Sequence, residues 1–110
     1  MSLPIDIDVL SVQQLQQSGD DFLLLDCRKP EEYATASIAG STLIPMQEIQ
    51  QRVGEISDDL NRRIVVHCHH GGRSLRVTHW LREQGFANVQ NMAGGIDAWS
   101  LEVDPSVPRY

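Results

Sequence analysis

The spacing of apolar and polar residues along the chain predicts alternating strands and helices. Ile5 to Val9 alternates apolar and acidic residues, which is typical of a short strand with one exposed face. Phe22 to Cys27 is apolar until Asp26, as expected for a parallel strand buried on both faces. Ile64 to His67 is a second run of this kind. Two further short strands are predicted at Ser41 to Ile44 and at Asn88 to Asn91.

The segments between these strands carry helix signals. Ser11 is a candidate N-cap for a helix from Val12 to Gln17. Pro30 at a first helical position, followed by two glutamates, predicts a helix through Ala36. The remaining helices are predicted at Met46 to Val53, at Leu75 to Gln84 and around Ile96 and Trp99. Strands that alternate with helices predict an α/β sandwich, with helices on both faces of a mainly parallel five-stranded sheet.

Length and composition are those of one globular domain, residues 1–110. The chain is 41% hydrophobic and 22% charged, and its longest apolar run, Phe22 to Leu25, is too short to span a bilayer. We expect a core from about residue 5 to 101 and a C-terminal tail over residues 102–110, loosely ordered from Asp104. No targeting segment is visible, and two cysteines fit neither a disulfide framework nor zinc-finger spacing. The expected location is cytoplasmic, with no metal or cofactor and no membrane contact.

Charge is unevenly distributed along the sequence. The net charge of -6 argues against a nucleic-acid partner. Between Asn61 and Arg82, however, there are several arginines, all four histidines and no acidic residue, and this window contains Cys68. We therefore expect a positive potential around Cys68 that suits a small anionic or thiolate-bearing substrate. For Arg62, Arg63 and Arg82 taken singly, we prefer the interpretation that each lies on a solvated charged helix face.

The strongest chemical signal lies between the strand that ends at His67 and the helix that follows. The segment reads His67-Cys68-His69-His70-Gly71-Gly72-Arg73-Ser74. A glycine-bearing loop in this position directs backbone N–H groups and a helix N-terminus at one point, where the Cys68 sulfur should lie. Such donors and a nearby arginine favour the thiolate, which is the nucleophilic form of cysteine. We therefore interpret Cys68 as catalytic; the alternative is a small buried core residue.

Four ordered motifs lie between Asp26 and Trp99, within a resemblance that covers about Ile5 to Leu101. They are Asp26-Cys27-Arg28-Lys29-Pro30-Glu31-Glu32-Tyr33, then Ile38 with Gly40, Ile44 and Pro45, then the loop Cys68 to Ser74, and last Gly94-Gly95-Ile96 with Ala98-Trp99. Together they resemble the rhodanese-like sulfurtransferase family. The resemblance implies a rhodanese-like three-layer sandwich.

The resemblance also implies an activity. Cys68 would take a sulfane sulfur from a small anionic donor such as thiosulfate or from another persulfide, hold it as a persulfide, and pass it to a thiophilic acceptor. That acceptor would be cyanide or a thiol, for example on a thioredoxin-like or sulfur-carrier protein. Inward-facing N–H groups would stabilise the terminal sulfur, as an oxyanion hole stabilises an oxygen.

The resemblance assigns roles to the residues around Cys68. The active-site and substrate-binding loop would consist of His69, His70, Gly71, Gly72, Arg73 and Ser74. Arg73 would anchor the loop or the anionic donor. Asp26 and Arg28 would support the loop, or would form only a structural ion pair. Cys27 is interpreted as a buried core thiol, with a resolving thiol as the alternative.

Three other functions compete with sulfur transfer. A phosphatase or arsenate reductase of the same fold also uses Cys and Arg, but such relatives carry one more residue between them than the four that separate Cys68 from Arg73. A non-catalytic rhodanese-like binding module is a second alternative, although such modules commonly lack the cysteine. A metal site built from residues 67–70 is the third, but contiguous ligands at a strand end point in opposing directions.

Overall fold

Five strands form a single sheet in a computed structural model, which describes residues 3–56 and 58–110. The strands are β1 (Asp6–Ile7), β2 (Phe22–Asp26), β3 (Thr42–Leu43), β4 (Arg63–His67) and β5 (Val89–Met92). Their order across the sheet is β1-β5-β4-β2-β3, and the neighbouring pairs are all parallel. The sheet is therefore entirely parallel, where the sequence predicts a mainly parallel one.

Helices connect the strands. They are α1 (Val9–Gln17), α2 (Pro30–Thr35), α3 (Ile49–Arg52), α4 (Gly72–Glu83) and α5 (Gly95–Glu102). The continuous helix expected from Met46 to Val53 is instead the single turn α3 between two 3₁₀ turns, Met46–Glu48 and Val53–Glu55. Gly54 lowers helix propensity there, and α3 has no side-chain N-cap. Across residues 3–56 and 58–110, no helix is both long and apolar enough to cross a bilayer.

Both faces of the sheet are covered, because alternate side chains of β4 point to opposite sides. Val65 belongs to an apolar cluster that includes residues of α1 and α5. Ile64 and Val66 belong to a second cluster, which includes residues of α3 and α4. All three side chains are fully buried. This three-layer arrangement confirms the predicted fold class and explains why β4 is an unbroken apolar run.

The first helix begins earlier than the sequence indicates. Asp8, rather than Ser11, is the N-cap of α1, and the helix starts at Val9 rather than at Val12. The Ser11 backbone N–H donates to Asp8 Oδ1 at 2.8 Å. Both residue types are good N-caps, and the aspartate takes the role because Val9 is then buried in the core.

The segment after α5 packs against the domain, so the expectation of a loosely ordered tail does not hold. Val107 is 9% exposed and joins the same apolar cluster as Trp99. Arg109 forms an ion pair with Asp97, with Nε 2.9 Å from Oδ1. One apolar residue among prolines and polar residues produces no periodic signal, which is why the sequence pattern does not predict this contact.

The last residue of β4 is a histidine in the core. His67 has no exposed surface, and neither ring nitrogen has a hydrogen-bond partner among the described residues. Its Nε2 lies 3.9 Å from Asp26 Oδ2. Burial lowers the pKa of His67 to about 4, although the Asp26 carboxylate opposes this effect. The imidazole is therefore neutral at pH 7.

Acidification should destabilise the fold through His67. An unfolded histidine has a pKa of about 6.5, so between about pH 6.5 and pH 4 the unfolded chain binds a proton that the folded protein does not. The free energy of unfolding should fall across this window, on the order of 3 kcal/mol, and His67→Phe should remove most of that fall. Denaturant unfolding between pH 7 and pH 4 tests this, with His79→Phe, at an exposed position of α4, as the control. An unchanged pH dependence in His67→Phe would contradict the prediction.

Candidate active site

Strands β2 and β4 end side by side, which brings both cysteines to one edge of the sheet. Asp26 pairs with His67 in the parallel register, so Cys27 and Cys68 leave the sheet together at its C-terminal edge. Ligands of parallel α/β sheets bind at this edge. The Cys27 N–H donates to the His67 carbonyl oxygen at 3.1 Å, and the Cys27 thiol lies 3.5 Å from the same oxygen. Cys27 is therefore tied to the end of β4.

The loop after Cys68 surrounds its sulfur with hydrogen-bond donors. Gly71 precedes α4 with φ +113°, in the left-handed region that favours glycine. Its N–H lies 3.1 Å from Cys68 Sγ, and Ser74 contributes its N–H at 3.4 Å and its hydroxyl at 3.3 Å. Helix α4 begins at Gly72, earlier than the predicted Leu75. Ser74 thus lies in the first turn, where backbone N–H groups have no helical partner.

The two thiols differ in hydrogen bonding rather than in exposure. Cys27 and Cys68 are each 1% exposed. Burial raises the pKa of Cys68, but the hydrogen bonds from Ser74 and from the loop backbone outweigh it and hold the pKa below its ordinary value. For Cys27, burial and then the nearby negative charges raise the pKa far above the ordinary value. Cys68 is therefore the thiol that ionises more readily.

The N-terminus of α5 holds the loop from the other side. The Ile96 N–H donates to the Cys68 carbonyl oxygen at 2.9 Å, and the Asp97 N–H donates to that of His69 at 3.1 Å. This approach requires glycine at the first position of α5. Gly95 has φ +61°, and a Cβ there would lie 2.6 Å from the Cys68 carbonyl oxygen and closer still to that of His69.

A buried ion pair lies where β2 ends. The side chains of Asp26 and Arg28 have no exposed surface, and Arg28 Nη2 lies 2.7 Å from Asp26 Oδ2. Arg28 also donates to the Ala36 carbonyl oxygen at 2.6 Å and to the Tyr110 hydroxyl at 2.8 Å. The pair therefore connects β2 to the residue that follows α2 and to the tail.

Arg73 is bound by a carboxylate of α2. Its Nη1 and Nη2 atoms lie 2.6 and 2.9 Å from the two carboxylate oxygens of Glu32, in a bidentate pair. The hydrogen bond from Arg73 is the main cause that lowers the pKa of Glu32 to about 2. The Tyr110 hydroxyl donates to Glu32 Oε2 at 2.7 Å. Of the two roles implied for Arg73, this geometry favours anchoring of the loop.

The two loop histidines have different surroundings. His69 stacks on Tyr110, with ring centroids 3.9 Å apart and 7° between the ring planes. Burial, followed by the charge of His70, lowers the pKa of His69. The His70 side chain is 67% exposed, and Nδ1 lies 4.0 Å from Asp97 Oδ2. Within the described residues, no group of three or more His, Cys, Asp or Glu side chains is arranged to hold a metal ion.

The sequence matches a known family of domains. The family model of the rhodanese-like domain matches residues 9–102. The chain belongs to this rhodanese-like family. A sulfurtransferase of Allochromatium vinosum is 38% identical over 102 residues, which cover 93% of this chain and 94% of the relative. The family and fold implied by the four motifs are confirmed.

Two other relatives are much longer than this rhodanese-like chain. The rhodanese-like/PpiC domain-containing protein 12, chloroplastic, of Arabidopsis thaliana is 42% identical over 93 residues, which cover 83% of this chain and 31% of the relative. The crystal structure of thiosulfate sulfurtransferase from Pseudomonas aeruginosa has a TM-score of 0.80 at 32% identity, covering 87% of this chain and 18% of that chain. The chain corresponds to one part of each protein, and its cytoplasmic location stays a prediction.

The rhodanese-like fold separates arginines that lie close together in the sequence. Arg63 begins β4, at the opposite end of the strand from Cys68. Arg62 lies 3.6 Å from Asp21, and Arg82, in the last turn of α4, donates to the backbone at the start of β5 at 2.8 Å. These three arginines therefore lie away from Cys68, because the sequence window from Asn61 to Arg82 includes both ends of β4 and of α4.

Sequence reasoning misses three contributors to this rhodanese-like site, Glu32, Asn91 and Tyr110. The Asn91 Oδ1 atom lies 2.5 Å from the Ser74 hydroxyl. The sequence pattern places Glu32 only in a first helical turn, Asn91 only in a strand and Tyr110 only in a tail. Each contacts a residue that is distant along the chain, and local periodicity carries no information about such pairs. For Glu32, its place in the family motif is the available signal.

Gly95→Ala should displace the loop that carries Cys68. The added Cβ would overlap backbone atoms, and the left-handed φ would cost a non-glycine residue about 1–2 kcal/mol. We expect a lower melting temperature, and iodoacetamide labelling of Cys68 that requires a higher pH because the donors no longer surround the sulfur. Gly54→Ala is the control, since a Cβ there meets no atom within 4 Å. Equal effects of the two substitutions would contradict the role of Gly95.

Tyr110→Phe should loosen the connection between the tail and the loop. The substitution keeps an aromatic ring beside His69 but removes the hydroxyl that accepts from Arg28 and donates to Glu32. A hydrogen bond to a charged group contributes about 1.5–3 kcal/mol, and because Tyr110 is 42% exposed we expect a loss of only about 1 kcal/mol. Chemical denaturation measures it. Arg109→Gln, which breaks an exposed ion pair of the same tail, should have the smaller effect; a larger one would count against Tyr110.

Proposed function

We propose that this rhodanese-like domain transfers a sulfane sulfur through a persulfide on Cys68. The observation that carries the proposal is the set of donors at Cys68 Sγ, namely the N–H groups of Gly71 and Ser74 and the Ser74 hydroxyl. Donors fixed around a sulfur stabilise negative charge there without reorganising during the reaction. The same charge is needed on the attacking thiolate and on the persulfide that it forms.

The proposed reaction has two displacement steps. The Cys68 thiolate attacks the outer sulfur of thiosulfate, so that a new S–S bond forms while the S–S bond of thiosulfate breaks and sulfite leaves with the electron pair. A cyanide or thiolate acceptor then attacks the terminal sulfur of the persulfide. Thiocyanate or an acceptor persulfide leaves, and the Cys68 thiolate is regenerated. Thiosulfate is proposed as a donor because it is small and anionic, and the name of the Pseudomonas aeruginosa relative supports this choice.

The burial of Cys68 bears on the proposed acceptor. The residue is only 1% exposed, so its sulfur is poorly placed to meet a large partner directly. A persulfide extends the reactive sulfur by about 2 Å, the length of an S–S bond. We propose that the terminal sulfur, rather than Sγ, meets the acceptor thiol, which a thioredoxin-like or sulfur-carrier protein could provide.

The contacts of Arg73 favour sulfur transfer over hydrolysis of a phosphate or reduction of arsenate. Both oxygens of Glu32 bind the Arg73 guanidinium and neutralise its positive charge. A phosphoryl dianion would need that positive charge to bind. Four residues separate Cys68 from Arg73, so the loop is also shorter than that of the phosphatase relatives. A binding module without activity does not require hydrogen-bond donors around Cys68 or a lowered pKa of that thiol.

Cys68→Ser should abolish sulfur transfer. Intact mass measured after incubation with thiosulfate should show one added sulfur atom in the unaltered protein and none in Cys68→Ser, because the hydroxyl is a much poorer nucleophile. Cys27→Val is the matched control: it replaces the other thiol at nearly constant volume, and we expect the added sulfur and its release to cyanide to persist. Sulfur uptake in Cys68→Ser, or none in the unaltered protein, would refute the proposal. Persulfide that forms in Cys27→Val but is not released would identify Cys27 as a resolving thiol.

A further inference from the structure

The Ser74 hydroxyl lies within hydrogen-bond distance of two acceptors, the Cys68 sulfur and the Asn91 side-chain oxygen. Ser74 Oγ is 3.3 Å from Cys68 Sγ and 2.5 Å from Asn91 Oδ1. The orientation of the Asn91 amide is fixed by its other end, because Nδ2 donates to the Asp6 carboxylate at 3.1 Å, and a carboxylate accepts hydrogen bonds only. The oxygen of the amide therefore faces Ser74.

A hydroxyl has one proton and cannot donate to both neighbours. When Cys68 is a thiol, Ser74 can donate to Asn91 and accept a hydrogen bond from the S–H group. When the sulfur is ionised, it has no proton to donate to Ser74. The hydroxyl can then donate to the sulfur, which leaves Asn91 Oδ1 without a hydrogen bond. If it donates to Asn91 instead, the N–H groups of Gly71 and Ser74 alone stabilise the charge on the sulfur. Each choice forfeits a hydrogen bond in a site that excludes water, where Ser74 has no exposed surface and Asn91 is 4% exposed.

We propose that Asn91 is a positioning residue that competes with the Cys68 sulfur for the Ser74 proton and so limits how strongly the loop stabilises negative charge on that sulfur. The benefit is chemical, since the nucleophilicity of a thiolate falls as its basicity falls. Asn91 keeps the sulfur ionisable but still reactive. This proposal deepens the proposed function and rests on it for its catalytic meaning, but the titration of Cys68 tests it without any sulfur donor.

Other charged groups also act on Cys68, and the test must separate them from the hydroxyl. Arg73 on α4 and Cys27 after β2 interact with the Cys68 charge, and Asp26 acts on Cys27. His67 and His69 flank Cys68 in the chain, and Asp6 on β1 lies behind Asn91. Of these groups, Asp6 has a hydrogen bond to the Asn91 side chain, so the comparison with and without Ser74 separates the hydroxyl from the charges that both proteins share.

The test is a double-mutant cycle on Asn91 and Ser74, made in Cys27→Val protein so that Cys68 is the one remaining thiol. The pH dependence of Cys68 alkylation by iodoacetamide, with the site confirmed by peptide mass, gives the pKa of the thiol. Asn91→Leu should lower this pKa by about one pH unit, because the hydroxyl no longer loses a partner when it turns to the sulfur. Ser74→Ala should raise it. In Ser74→Ala protein, Asn91→Leu should change nothing, since the hydroxyl that connects the two residues is absent.

Asp6→Ala provides a second variant at an exposed position, in case Asn91→Leu does not fold. Asp6→Ala removes the hydrogen bond that holds the Asn91 amide, so the amide oxygen can rotate away from Ser74. In protein that has Ser74, the Cys68 pKa should therefore fall. In Ser74→Ala protein the fall should be smaller, because only the loss of the Asp6 charge acts there. A higher or unchanged pKa in Asn91→Leu, or equal shifts of either variant with and without Ser74, would overturn the proposal. If these shifts appear in a protein that takes no sulfur from thiosulfate, the proposed function fails while the role of Asn91 stands.

Discussion

The Cys68 sulfur can lie among hydrogen-bond donors only because the backbone that carries it is held at both ends. On one side, α4 begins early enough for the Ser74 N–H to reach the sulfur. On the other side, the N-terminus of α5 binds the carbonyl oxygens of Cys68 and His69, and this approach leaves no room for a side chain at Gly95. Both helix N-termini thus have backbone donors directed at one short loop. The lowered pKa of the buried Cys68 thiol follows from the Ser74 hydroxyl and the backbone N–H groups that this geometry places at the sulfur.

A second set of contacts fixes the loop from the side of β2. The buried Asp26–Arg28 pair is balanced charge for charge, and its remaining donors reach Ala36 and Tyr110. Tyr110 then connects to Glu32, which holds Arg73. A buried ion pair contributes little net stability by itself, but breaking one leaves an uncompensated charge and is strongly destabilising. In this protein the pair connects β2 to the end of α2 and to Tyr110, and through Tyr110 and Glu32 to Arg73 in the loop. Breaking the pair should therefore also disturb the loop.

The sequence predicted what depends on local patterns. The runs at β2 and β4 are apolar because both faces of the sheet are covered, and Cys68 follows β4 at the edge where parallel sheets bind ligands. The family resemblance, carried by motifs distributed over the chain, predicted the three-layer fold. The pattern failed where partners are distant along the chain. The packing of Val107, the stacking of Tyr110 on His69 and the bond between Ser74 and Asn91 are tertiary contacts without periodicity. The window of arginines does not form one cluster, because charges that are close in sequence lie at opposite ends of β4 and α4.

Hydrogen bonds, and not exposure, give Cys68 a lower pKa than Cys27. The most direct measurement is the pH dependence of the alkylation rate of each cysteine in the unaltered protein, resolved by peptide mass. A free cysteine has a pKa of about 8.5, and we predict an inflection for Cys68 below that value, with Cys27 unreactive until well above it. An inflection for Cys68 at or above the value of a free cysteine, or labelling of Cys27 first, would contradict the account.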